Sequence, residues 1–243
     1  AADAITGASG TFTFNGGNQS IPNSGGTITF YDLIAGGTNT KTFNRSVSTS
    51  GNLTINNGVV LALATTGLTL DIGGAATIDG TLNFGGAAPA KTVTIGGDLI
   101  DATGTITMTG AGVAHTLNLN GSLNSISTFT TTAASGSTVN YSGSGDQEVF
   151  KSVNYQNLGV SGGGTKSLLG NTTINGTVTL TSGVLRLGNY NLSMASNSTN
   201  IILGAPFSSS KMIETDGSGA LIRRASTTVP ITFPVGSGGY LST

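Results

Sequence analysis

The chain has 243 residues, no cysteine and one histidine, and its nine Lys and Arg against ten Asp and Glu leave a net charge of −1. Without Cys there is no disulfide, no zinc-thiolate site and no thiol catalysis. Near-neutral charge without a basic stripe gives no electrostatic reason to expect nucleic acid or an anionic membrane as partner. Glycine supplies 39 residues, about twice a background of roughly 7%, and charged residues are only 8% against a typical ~25%. Such a composition suits either disorder or a Gly-rich repetitive fold, and the apolar pattern decides for the fold.

Taken in order, TFTF (11–14), TITF (27–30), NLTI (52–55), LTLDI (68–72), TLNF (81–84), TVTI (92–95), TITM (105–108), TLNL (116–119), TVNY (138–141) and TVTL (177–180) alternate polar and apolar residues. Side chains of a strand point to opposite faces in turn, so each segment buries one face and wets the other. Thr, Val and Ile dominate, as a pleated surface prefers. No stretch carries helical apolar spacing. The most apolar run, Gly58 to Leu70, is too short and too rich in Thr and Gly to span a bilayer.

Asn-Gly pairs punctuate these segments at Asn15-Gly16, Asn57-Gly58, Asn120-Gly121 and Asn175-Gly176, where tight turns need positive φ. Apolar strand positions in the middle of the chain fall at Leu68, Leu82, Val93, Ile106 and Leu117. Short strands at that spacing indicate a sandwich, a barrel or a β-solenoid. Scarce aromatics, absent Trp and ladders of Thr and Asn favour stacked coils.

The chain also repeats itself. Phe30-Tyr31-Asp32-Leu33 aligns with Tyr155-Gln156-Asn157-Leu158, Thr40-Lys41-Thr42 with Thr165-Lys166-Ser167, Gly51-Asn52-Leu53-Thr54-Ile55 with Gly176-Thr177-Val178-Thr179-Leu180, and Gly58-Val59-Val60 with Gly183-Val184-Leu185. Each pair is 125 residues apart (155 − 30, 165 − 40, 176 − 51, 183 − 58). Upstream, Gly17-Asn18-Gln19-Ser20-Ile21 resembles Gly145-Asp146-Gln147-Glu148-Val149. The fold expected is an all-β, right-handed parallel β-solenoid with an internal repeat, its first unit over 1–144 and a second, incomplete unit over 145–243; the alternative is a β-sandwich tandem. Leu53, Ile55, Leu70, Val93, Ile95, Ile106, Leu117, Leu119, Val178, Leu180 and Leu187 are expected inside, with Thr and Asn facing water.

Several short motifs invite chemistry. Gly159-Val160-Ser161-Gly162-Gly163 fits the serine-hydrolase pattern G-x-S-x-G, but β pattern follows it where a helix is needed, and the only histidine precedes it. Gly162-Gly163-Gly164-Thr165-Lys166-Ser167 approaches a phosphate loop, yet Thr165 replaces the glycine before the lysine and no helix follows. Lys166 and its counterpart Lys41 read as solvated turn residues. His115, without a second His or any Cys, is not read as a metal ligand. Asp98 and Asp101 read as turn caps, although paired carboxylates also serve glycoside hydrolysis or Ca²⁺ binding. Arg223-Arg224 reads as a solvated strand edge, with an anionic glycan as the rarer alternative. No residue is nominated as catalytic, cofactor-binding or metal-binding, and no cofactor is expected.

The stretch YQNLGVSGGGTKSLLGNTTINGTVTLTSGVLRLGNYNLSM (155–194), followed by MIETDGSGALIRRASTTVPITFPVGSGGYLST (212–243), resembles segments of large repetitive cell-surface proteins of Bacteroidota, many of them type IX secretion cargo and some of them gliding or attachment adhesins. That resemblance implies a part of a much longer exported protein, extracellular or on the cell surface. The N-terminal AADAITGASG, without Met, matches a mature end left by signal-peptide cleavage.

The function expected is therefore a non-enzymatic structural or adhesive segment: a stalk, filament or adhesin piece. Its partners would be other copies, neighbouring repeats or surface glycans, without membrane insertion. Two alternatives stand beside it. Thr-x-Thr at 27–29, 40–42, 92–94, 105–107 and 177–179 suggests an ice-binding array, and scattered acids leave room for a β-helical polysaccharide-cleaving enzyme.

Overall fold

Period-two alternation obliges each short strand to bury one face, and a strand of three to five residues cannot do so alone. In the computed structural model the strands solve this by stacking in register, coil upon coil. The structure describes residues 9–23, 25–64, 67–86, 88–101, 103–132, 135–195, 202–223, 233–238 and 240–241. It divides into two units, 1–137 and 138–243, upstream of the division after Ser144 that the repeat alone suggests. No helix occurs among the described residues, and none is therefore long and apolar enough to cross a membrane.

Unit 1 winds three parallel sheets. The first holds Thr11–Phe14, Asp32–Ala35, Leu53–Ile55, Ala76–Ile78 and Leu99–Ile100; the second Gln19–Ile21, Asn39–Phe43, Val59–Leu63, Thr81–Asn83, Thr105–Met108 and Thr128–Thr131; the third Ile28–Phe30, Val47–Thr49, Thr69–Ile72, Thr92–Ile95 and Thr116–Leu119. Each strand pairs with the strand one coil away, as Val93 pairs with both Leu70 and Leu117 and Leu82 with both Leu61 and Ile106. The sequence spacing Leu82, Val93, Ile106, Leu117 is thus an alternation between the second and third sheets. Columns such as Leu61–Leu82–Ile106 and Leu70–Val93–Leu117 are fully buried, and truncating one such Leu to Ala costs about 2–5 kcal/mol.

Unit 2 repeats the plan with parallel ladders through Thr138–Tyr141, Asn157–Val160, Val178–Leu180 and Ile202–Leu203; through Gln147–Val149, Thr165–Leu168, Val184–Arg186, Ile213–Glu214 and Val235–Ser237; and through Thr172–Ile174, Leu192–Met194 and Leu221–Arg223. Tyr240–Leu241 joins the second ladder antiparallel. All eleven residues expected inside are buried. Parallel pairing between coils makes this a β-solenoid, since a sandwich is built from antiparallel strands.

The 125-residue repeat is also a repeat of backbone conformation. Gly37 and Gly162 have φ of 70° and 77°, Asn39 and Gly164 have 63° and 61°, and Gly58 and Gly183 have 77° and 91°. Asn39 is the described non-glycine residue with positive φ, and Asn is the side chain that tolerates that region best.

Candidate functional site

Several chemistry-bearing side chains among the described residues point inward. Lys41 lies two residues before buried Phe43, Lys166 two before Leu168, Lys91 two before Val93 and His115 two before Leu117, and all four polar residues are buried with their apolar neighbours. The reading of Lys41 and Lys166 as solvated turn residues is corrected on this point. Both sit within strands, and strand parity carries their side chains into the interior.

A buried ammonium without a carboxylate partner requires other acceptors. Lys41 Nζ donates to the carbonyls of Gly16 (2.7 Å), Gly17 and Thr38 (2.8 Å). Lys166 Nζ donates to the carbonyls of Gly143 (2.7 Å) and Gly145 (2.7 Å). Burial lowers both lysine pKa values, and for Lys166 the charge of Asp146 offsets part of that.

His115 is held at both ring nitrogens. The Lys91 backbone N–H donates to Nδ1 (3.1 Å), which leaves Nε2 carrying the proton and facing the Gly85 carbonyl (3.0 Å). Its own backbone N–H donates to Ser137 Oγ (3.1 Å), and its ring lies 5.5 Å from that of Phe84. Burial first, and the Lys91 ammonium second, lower its pKa.

Ser161 Oγ donates to Asn140 Oδ1 (3.1 Å) at the outer face of unit 2. The Lys166 ammonium, engaged with two turn carbonyls, is not presented to a phosphate. Asp98 Oδ1 accepts from the Leu123 N–H (3.0 Å) and from Ser122 Oγ, while Asp101 accepts from the N–H groups of Gly104 and Ser127. Both aspartates thus cap backbone donors. Arg223 stands half-buried in the column Ile174–Met194–Arg223, on the last strand of that ladder, with its guanidinium 5.6 Å from the Phe233 ring centroid; Arg224 lies outside the described residues. Among the described residues no three His, Asp or Glu gather as a metal site would require.

Two features go beyond the single motifs above. One is a ladder of Asx side chains that bridge successive coils at their corners. Asp32 Oδ1 accepts from Asn52 N–H (2.7 Å) and Asn52 Oδ1 from Ala75 N–H (2.9 Å). In unit 2 Asn157 accepts from Thr177 N–H (2.9 Å), Asn171 from Asn191 N–H (2.9 Å) and Asn191 from Ala220 N–H (3.0 Å). The other is a hydroxyl array on the second sheet of unit 1, where Thr40/Thr42, Thr81/Asn83, Thr105/Thr107 and Thr128/Thr130 stand in two outward columns interrupted by Val60/Ala62. Of the Thr-x-Thr pairs read from sequence, 40–42 and 105–107 share this sheet, whereas 92–94 belongs to the third sheet.

Compared with known proteins, the chain matches no family model, no curated protein and no solved structure.

Proposed function

We propose that the chain is a non-enzymatic structural or adhesive segment of an extracellular bacterial surface protein. The observation that carries this reading is the Asx ladder: side chains that elsewhere do chemistry here accept backbone N–H groups from the next coil, rung after rung. Each such bond contributes about 1 kcal/mol, and together they fasten coils that contact only their neighbours. The likeness of 155–194 and 212–243 to surface-protein segments supports the same reading. Its partners are other copies, neighbouring repeats of a longer chain, or surface glycans met weakly at many points.

Immunogold microscopy of intact producing cells, with antibody raised to this chain, tests the proposal. Label along thin surface fibres is expected. Protein abundant in the medium with bare cells would sink the cell-surface assignment.

The hydroxyl columns of the second sheet support a second reading, ice binding. Rows spaced roughly 4.8 Å across strands and about 6.7 Å along them set out methyl and hydroxyl groups on one face, broken at Val60/Ala62. Thermal hysteresis of the purified protein is its readout, and freezing indistinguishable from buffer at high protein concentration removes it.

A further inference from the structure

The Asn-Gly pairs Asn15-Gly16, Asn57-Gly58, Asn120-Gly121 and Asn175-Gly176 all lie outside the strands, yet the fold treats them differently. In such a pair the glycine nitrogen, unshielded by a Cβ, is able to attack the Asn side-chain carbonyl carbon. The attack needs a glycine N–H free of hydrogen bonds, a side-chain amide free to approach it, and room for a five-membered ring.

Three pairs are denied these conditions. The Gly16 N–H donates to Gln19 Oε1 (2.8 Å), and the Gly16 carbonyl accepts from Lys41 Nζ (2.7 Å), so that glycine is held on both sides. Gly121 is buried against the preceding coil, where a Cβ would lie 2.2 Å from the Gly97 carbonyl oxygen, and the Asn120 N–H donates to the Ile95 carbonyl (2.9 Å). The Gly176 N–H donates to the Gln156 carbonyl (2.7 Å), and Asn175 Nδ2 donates to the carbonyls of Val153 (3.2 Å) and Tyr155 (3.1 Å).

Asn57-Gly58 meets all three. The pair joins strand Leu53–Ile55 to strand Val59–Leu63. The Val59 N–H donates to the Asn56 carbonyl (3.1 Å) and Gly58 has φ of 77°, which is a type II turn with Asn57 and Gly58 at its centre. Both residues are exposed. The Gly58 N–H meets no acceptor among the described residues. Asn57 Nδ2 reaches Thr103 Oγ1 at 3.4 Å, beyond the usual range of a hydrogen bond. Attack requires the central peptide of the turn to swing its nitrogen towards Asn57 Cγ. Glycine at the third position of the turn accepts either orientation of that peptide, and nothing within 4 Å of a Cβ direction at Gly58 resists the swing.

We infer that Asn57 is a site of self-modification, the one Asn-Gly pair of the folded chain that converts to aspartate and isoaspartate. The Gly58 amide nitrogen gives up its proton to solvent and bonds to Asn57 Cγ. The Cγ–Nδ2 bond breaks and Nδ2 leaves as ammonia, which closes a succinimide. One water then opens the ring at either carbonyl, giving aspartate or its β-linked isomer, with no net oxidation or reduction. Each event adds one negative charge to unit 1, and the β-linked product adds one methylene to the backbone of the turn. Either product offers acceptors only. The Thr103 hydroxyl, which donates to the Asp79 carbonyl (3.3 Å), thereby gains a competing acceptor.

Peptide mapping by mass spectrometry tests this on the whole protein, held in mildly alkaline heavy-oxygen water, with enzymatic methylation of isoaspartate as a second readout. The peptide carrying Asn57 is expected to take up solvent oxygen at least about tenfold faster than those carrying Asn15, Asn120 and Asn175, and to carry the isoaspartate label. In urea the four rates are expected to converge. Equal rates in the folded protein, another pair converting first, or an Asn57 that stays intact while the unfolded chain converts overturns the inference. So does a lead of Asn57 that survives in urea, because local sequence rather than the fold would then select it. Gly58→Ala shields the attacking nitrogen and is expected to slow Asn57 about tenfold; an unchanged rate would mean direct hydrolysis and refute the succinimide route.

Discussion

Lys91 and His115 occupy successive coils of the third sheet's inward column, and the backbone N–H of Lys91 donates to His115 Nδ1 at 3.1 Å. The bond fixes the neutral tautomer, with Nε2–H directed at the Gly85 carbonyl. Burial and the neighbouring Lys91 ammonium both disfavour the imidazolium, so the folded-state pKa lies below its ordinary value of 6.5. A base whose pKa falls on folding binds its proton more weakly in the folded state. Its contribution to stability is therefore whole above the unfolded-state pKa and is lost as pH falls below it. The urea midpoint is expected to drop between about pH 7 and about pH 5. In His115→Phe that segment of the pH profile is expected to flatten, and a wild-type midpoint constant through this window would show that His115 is not buried neutral.

A second closed network lies in unit 2. Tyr141 and Tyr155 hydroxyls meet at 2.8 Å; the Phe150 N–H donates to Tyr141 Oη (3.2 Å), and Tyr155 Oη–H donates to the Phe150 carbonyl (2.8 Å). Both hydroxyls are wholly buried, and burial raises both pKa values. Removing one member of a satisfied buried network strands its partners, at about 1–3 kcal/mol. Tyr141→Phe and Tyr155→Phe are each expected to cost that much in chemical denaturation. The double variant is expected to cost clearly less than the two singles together, because the remaining groups lose a shared partner once. Strict additivity would mean that the two hydroxyls act separately.

The apolar interior was legible from alternation alone because strand parity is a rigid rule: Leu53, Val93, Leu117 and Val178 each sit where parity sends them. The same rule applied to Lys41, Lys91, His115 and Lys166 places all four inside, two residues ahead of an apolar neighbour. For Lys41 and Lys166 residue type had argued for water instead, and parity won because backbone carbonyls inside the coil supplied the acceptors. The short strands Asp32–Ala35, Val47–Thr49 and Ala76–Ile78 were hidden, since three or four residues carry too little alternation to read. The Asx ladder was hidden for another reason. Its bonds join residues about one coil apart, and nothing local marks Asp32 or Asn157 as partners of that kind.

That ladder makes a prediction of its own. Asn157 Oδ1 accepts from both the N–H and the hydroxyl of Thr177 (2.9 Å each), whereas Asn52 Oδ1 accepts from the Ala75 N–H alone (2.9 Å). Asn157→Ala is expected to destabilise by about 1–2 kcal/mol and Asn52→Ala by about 1 kcal/mol. Asn52→Asp keeps an acceptor oxygen in place, as the native Asp32 does one coil earlier, and is expected to stay near wild type. Equilibrium unfolding measures all three. An Asn52→Asp variant as damaged as Asn52→Ala would assign the effect to the amide NH₂ rather than to the acceptor.

Gly37, Gly162 and Gly58 share positive φ and differ in what surrounds them. At Gly58 an added Cβ meets nothing within 4 Å, while at Gly37 and Gly162 it would press on a turn carbonyl oxygen at 2.4 and 2.3 Å. Gly58→Ala therefore carries only the conformational cost of an L residue in the left-handed region, about 1–2 kcal/mol. Gly37→Ala and Gly162→Ala add to this a backbone displacement at the turn that the buried lysine binds. Each is expected to lose more than about 3 kcal/mol and to weaken protection of the Lys41 or Lys166 ammonium in its own unit. A direct comparison of the three alanine variants by thermal unfolding separates dihedral cost from close packing. If Gly37→Ala and Gly58→Ala unfold together, the approach of Gly37 to Gly16 is looser than the structure places it, and the carbonyl cradle of Lys41 is not rigid.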